Sequence, residues 1–176
     1  TLRLNWLVPT NNGGASISNY LVQVSSNGTT FTTIQHPVSD SYGFNVTNLL
    51  AGTKYWFRVA AINSAGTSAF SNIVSAVTLG AVPSAPTSLA VSASTTYVSL
   101  SWQSTAVVGG SAIRNYIVEY STDGGTTWRT VVKPVSTSRN LQVTGLTSRT
   151  TYKFRVTAVN DVGNSDASAV LSVTTK

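Results

Sequence analysis

Neither cysteine nor methionine occurs in the 176 residues, and the acidic residues number only five. Without cysteine there is no disulfide and no thiolate metal ligand. A single histidine, His36, leaves Ser-His-Asp, Cys-His and zinc constellations nothing to build on, so neither cofactor nor metal is expected. No apolar run approaches the ~20 residues that a membrane helix needs, so helical membrane insertion is not expected. No leader-like segment is visible, and without a methionine the chain reads as a processed product or a fragment of something longer. The shortage of acids, against 11 bases, sets the formal charge of +6. The bases are dispersed, whereas a nucleic-acid groove wants a basic stripe interleaved with aromatics. Nucleic-acid binding is therefore not expected.

What is present is apolar enough to fold. Hydrophobic residues make up 41% and charged residues 9%, outside the range of disordered chains. Serine and threonine fill positions where an intracellular protein would often carry Lys and Glu, which leans towards an extracellular or cell-surface setting.

The chain repeats itself. "LRLNW" at Leu2–Trp6 matches "VSLSW" at Val98–Trp102, and "GGASISNYLVQVS" from Gly13 matches "GGSAIRNYIVEYS" from Gly109, both at a spacing of 96. "NGTTF" then becomes "DGGTTW", and the extra Gly125 moves the spacing to 97 for Tyr55 and Tyr152, Asn63 and Asn160, Gly66 and Gly163. An insertion located in a glycine turn is one that a hairpin tolerates. The alternation in "YLVQV", "YIVEY", "YWFRVAA" and "YKFRVTA" is that of antiparallel strands with one wet face. About seven such strands per unit predict an all-β chain of two immunoglobulin-like sandwiches. The boundary falls near "TLGAVPSAPTSLAV", giving units 1–80 and 81–176. Pro83 and Pro86 suit a lead-in, since proline cannot donate to a ladder.

These residues resemble fibronectin type III domains, in a style similar to tandem domains of secreted bacterial proteins. The motifs that carry the resemblance are "PSAPTSLAV", "VSLSW", "LQVTGLTSRTTYKFRVTAVNDVGNS" and their first-unit counterparts. The resemblance implies a structural core of Trp6 and Trp102 on the second strand, Tyr20 and Tyr116 on the third, and the pairs Leu49/Tyr55 and Leu146/Tyr152. The two tyrosines of those pairs are expected to tie a corner through their hydroxyls. The first unit has no counterpart of "PSAPTSLAVSAS" and begins in the second strand at Leu2, so its first strand is expected to be missing. An unpaired edge of this kind invites another strand.

Candidate sites are few. His36 faces Lys133 across the repeat in matching "HPVS"/"KPVS" loops, as a solvated residue would. The glycine pairs Gly13–Gly14 and Gly109–Gly110 precede no helix and read as turns, not phosphate cradles. Asp161 and Asp166 have Ser64 and Ala69 as counterparts and are expected to be solvated. The outward face carries Trp56, Arg58 and Leu21, the candidate partner contacts; Trp56 can stack on a sugar or a neighbouring domain, or be covered by the Arg58 stem. The expected function is a non-catalytic spacer, adhesive or interaction array within a larger extracellular or cell-surface protein. Its partners would be neighbouring domains of the same or an identical chain, polysaccharide, or a cell-surface protein. The alternatives are an accessory, glycan-contacting module of a secreted polysaccharide-degrading enzyme, and a virion or filament surface protein assembling through the open edge.

Overall fold

A computed structural model describes all 176 residues. It holds fifteen strands and no helix, and it divides into two compact units, Thr1–Leu79 and Gly80–Lys176.

The second unit is the complete one. β8 (Thr87–Ala93), β9 (Tyr97–Gln103) and β12 (Asn140–Thr144) form one antiparallel sheet in the order β12-β9-β8. β10 (Asn115–Ser121), β11 (Arg129–Thr130), β13 (Thr151–Val159), β14 (Asn164–Ala167) and β15 (Leu171–Thr174) form the other. Alternate residues of both sheets face inward, as a half-buried strand requires. Val98, Leu100, Trp102, Tyr116, Val118, Phe154 and Val156 fill the space between them. Leu89, Val91 and Ala93 of β8 close the core from its side.

The first unit repeats this plan with one strand fewer. β2 (Asn19–Ser25), β3 (Thr32–Thr33), β5 (Lys54–Asn63), β6 (Gly66–Thr67) and β7 (Val74–Val77) reproduce the second sheet. The other sheet contains only β1 (Leu2–Asn5) and β4 (Gly43–Val46), paired Leu2↔Val46 to Asn5↔Gly43. No strand lies on the other edge of β1.

That difference decides burial. Trp102 is 4% exposed, whereas Trp6, expected in the core, is only half-buried. Leu49 is likewise half-buried, against 9% exposure for Leu146. The residue types match; among residues 1–79 no strand flanks β1 to cover them as β8 flanks β9. Tyr20, Tyr55, Tyr116 and Tyr152 are buried in both.

The hydroxyl staples are also duplicated. Tyr55 Oη accepts a hydrogen bond from Leu50 N (3.1 Å), and Tyr152 Oη accepts one from Thr147 N (3.0 Å). Thr53 N donates to Thr78 Oγ1, and Thr150 N to Thr175 Oγ1. Ser71 and Ser168 accept from Val59 N and Val156 N at the step between the last two strands. These side chains satisfy backbone donors that the irregular strand leaves unpaired.

Candidate functional site

β2 and β5 run antiparallel with Leu21 opposite Ala60, Gln23 opposite Arg58 and Ser25 opposite Trp56. Cross-strand partners share a face, so the three candidate contacts Trp56, Arg58 and Leu21 stand in one row on the outer side of this sheet. All three are half-buried.

Their covers differ from the sequence expectation. Trp56 lies over the β2–β3 turn, where a Cβ added to Gly28 (φ 78°) would come within 3.1 Å of the indole. Lys54 Nζ stands 5.0 Å from the ring centroid. Arg58 does not roof Trp56. Its guanidinium is held between Phe31 and Phe70, 4.2 and 4.1 Å from the ring centroids, and its Nε donates to Gln23 Oε1 at 2.8 Å. The indole therefore presents an edge and part of one face, not a free platform.

The second unit solves the same problem with other residues. Trp128 follows the turn, donates from Nε1 to Gly125 O (3.0 Å) and lies 4.2 Å beneath the Arg155 guanidinium. Arg155 Nε pairs with Glu119 Oε2 at 2.7 Å. Lys153, at the position of Trp56, donates to Gly124 O (2.7 Å). Both units thus carry one tryptophan on the hairpin turn, contributed from β5 in one and from beyond β10 in the other. Each unit also has a stacked arginine, Arg58 between Phe31 and Phe70 in the first and Arg155 on Trp128 in the second. Sequence reasoning found the tryptophans but missed Phe70 and the Gly28 seat, because neither is adjacent in sequence to the strand it serves.

The polar side chains of the loops bind their own turns and neighbours. Asp123 accepts from Ser121 Oγ, Thr126 N, Thr127 N and Thr127 Oγ1, and these bonds hold its carboxyl well below the usual carboxylate range. Asn27 makes the neutral version of this turn, accepting from Thr29 N and Thr30 N. Asp161 is bound by the Arg114 guanidinium and by Ser111 Oγ, and the arginine chiefly lowers its pKa. The His36 ring nitrogens lie 2.9 Å from Tyr20 O and 2.8 Å from Pro37 O, so His36 is tied down rather than solvated. Lys133 occupies the matching place, donating to Asn115 Oδ1 and Pro134 O, and desolvation lowers its pKa. No group of three or more His, Cys, Asp or Glu residues is placed to hold a metal ion.

Two loop-end asparagines were visible in the repeat without a role. Asn160 donates to Ala81 O (2.8 Å) and Val108 O (2.9 Å) and accepts from Val162 N and Gly163 N. Asn63 donates to Asn12 O (2.6 Å) and Ala15 O (3.2 Å). Asn63 thus ties the end of β5 to the loop before β2, and Asn160 ties the end of β13 to the loop before β10 and to the segment before β8.

Comparison with known proteins fits this architecture. The human cell adhesion molecule DSCAM is 32% identical over 175 residues, covering 96% of this chain and 8% of that protein. Exoglucanase B of Cellulomonas fimi is 34% identical over 187 residues, covering all of this chain and 16% of that protein. Drosophila melanogaster titin is 29% identical over 168 residues, covering 93% of this chain and 1% of that protein. The chain thus spans a small fraction of each relative. The model of the fibronectin type III domain matches residues 1–77 and 84–174, two copies in tandem, and the chain belongs to the fibronectin type III family.

Proposed function

We propose that the chain is a non-catalytic spacer and interaction segment of a larger protein, working in an extracellular or cell-surface setting. The observation that carries this reading is what the two units have in common. The duplicated side chains (the tyrosine staples, the threonine and serine pegs, the asparagine locks) all bind their own backbone. Where the units differ, the substitutions exchange one scaffold solution for another, as Trp56 and Lys153 do. Similar paired modules in a cell adhesion molecule and in titin support the reading. Pulling on the chain tests it. A load-bearing spacer gives two separate unfolding events, the first unit at lower force; a single low-force extension without discrete events contradicts it.

A second reading is favoured by the exoglucanase relative. In an accessory module, the exposed edge of Trp56 and the flanking Lys54 would contact glycan. Polysaccharide pull-down that is lost in Trp56→Ala, with the β1 and β4 amides still dispersed as in the folded parent, supports it. Absence of binding in the parent chain removes it.

A further inference from the structure

The outer sheet faces of the two units share a register but not a charge balance. In the second unit β13 places Lys153 and Arg155 on this face, and Glu119 of β10 stands opposite Arg155. Arg155 Nε pairs with Glu119 Oε2 at 2.7 Å, and the Lys153 ammonium is bound by Gly124 O. The cations of that face are held by the unit's own acceptors. In the first unit Gln23 takes the place of Glu119, opposite Arg58. It accepts from Arg58 Nε at 2.8 Å and brings no charge. Lys54 is exposed and lies against the Trp56 ring. The one acid of residues 1–79 is Asp40, which borders a cleft with Arg3 and Asn5 of β1, on the other sheet. Two cations therefore stand on this face with no acid beside them.

Lys54, Trp56 and Arg58 alternate along β5. At about 3.3 Å per residue the two cations sit about 13 Å apart along the strand, with the indole between them. The Arg58 guanidinium is fixed before any ligand arrives. Phe31 and Phe70 hold its faces, and Nε, bound to Gln23, is its one hydrogen-bonded nitrogen. A guanidinium held this way turns a two-pronged edge outward, the shape that matches a carboxylate. It also has little side-chain freedom left to lose on binding. Half-buried between aromatic rings, its charge is screened less than that of a free surface arginine.

We propose that the Lys54–Trp56–Arg58 face binds a carboxylated polysaccharide. A uronate carboxylate takes the two terminal nitrogens of Arg58, and a sugar ring of the same chain lies against the open part of Trp56. Lys54 meets a second carboxylate further along. Such a ligand presupposes the accessory-module reading, in which Trp56 and Lys54 contact glycan. The second unit does not compete, because Glu119 neutralises Arg155 and repels an incoming carboxylate.

The test uses the whole 176-residue chain, labelled with 15N and titrated at low salt with oligogalacturonate and with its methyl ester, the same sugar without charge. Saturable shifts with the acid form are expected below about 1 mM at Gln23, Lys54, Trp56 and Arg58, while Trp128, Lys153 and Arg155 stay in place. The ester should bind at least about tenfold more weakly. Gln23→Glu installs the second unit's arrangement and should weaken binding of the acid form by at least about tenfold. Gln142→Glu, the same charge change at an exposed position of β12, should leave it unchanged. Arg58→Lys keeps the charge but loses the fork, and should bind several-fold more weakly; it keeps the test decisive if Gln23→Glu disturbs β2. Unchanged binding in Gln23→Glu or in Arg58→Lys overturns the proposal. Equal losses in Gln23→Glu and Gln142→Glu, or shifts spread over both units, also overturn it, because net charge alone then draws the polyanion. Equal binding of acid and ester overturns the carboxylate but leaves the glycan reading in place. No binding of either overturns the proposal, and the glycan reading falls with it only if neutral polysaccharide also fails in pull-down.

Discussion

The two units share their strand-forming residues, their tyrosine staples and their serine pegs, yet their tryptophans end up in different surroundings. Trp102 packs edge-on against Tyr116 (ring centroids 5.4 Å apart) beneath a three-stranded sheet. Trp6 packs in the same way against Tyr20 (5.1 Å), but under a two-stranded sheet with an open side. The local pair is conserved between the units; the burial is not. A core position is therefore a property of the neighbouring strand as much as of the residue. Hydrophobic stabilisation scales with the area removed from water, so the first unit is the weaker one.

The sharpest way to break this comparison is to truncate both tryptophans. Trp102→Ala should cost about 3–5 kcal/mol, the usual range for a large buried aromatic, and leave the second unit unfolded or nearly so. Trp6→Ala should cost no more than about half of that, because less surface returns to water. Denaturant titration followed by NMR peaks of each unit separates the two. Equal losses would mean that the missing strand does not matter to the core.

Removing one staple from each unit has a smaller, symmetrical effect. Tyr55→Phe and Tyr152→Phe each leave a backbone N–H without its partner, at Leu50 and Thr147 respectively. Each should lose about 1–2 kcal/mol, measured by the same titration. A loss in one unit only would show that the corner works differently in the two.

The smallest difference is in acid. The hydrogen bonds to Asp123 lower its folded-state pKa, so its contribution is present above the unfolded value of about 4 and is lost progressively as pH falls towards the folded value. Asn27 does not titrate. Thermal unfolding of the second unit should therefore fall between about pH 4 and 2 more steeply than Asp123→Asn does, with Asp161 supplying the remaining slope. An identical slope in the variant removes Asp123 from the account.

Much of this architecture is legible in the residues because alternation, turn glycines and a repeat all point the same way. Gly125 announces the hairpin, Tyr55 and Tyr152 announce the corner, and the absence of a "PSAPTSLAV" counterpart announces the open edge. The cover of Trp56 is not legible. Its seat on Gly28 and the clasp of Arg58 between Phe31 and Phe70 join residues up to 39 positions apart, and no local period records them. The half-burial of Trp6 and Leu49 is hidden for a similar reason. Their sequence context matches that of Trp102 and Leu146, and only the three-dimensional neighbour differs.

Amide hydrogen exchange tests the central claim most directly, because it reads both sheets in one experiment. The account predicts that Leu4 and Trp6 exchange at least about tenfold faster than Leu100 and Trp102, while β2 and β10 differ less. Equal protection of the β1 and β9 amides would contradict it.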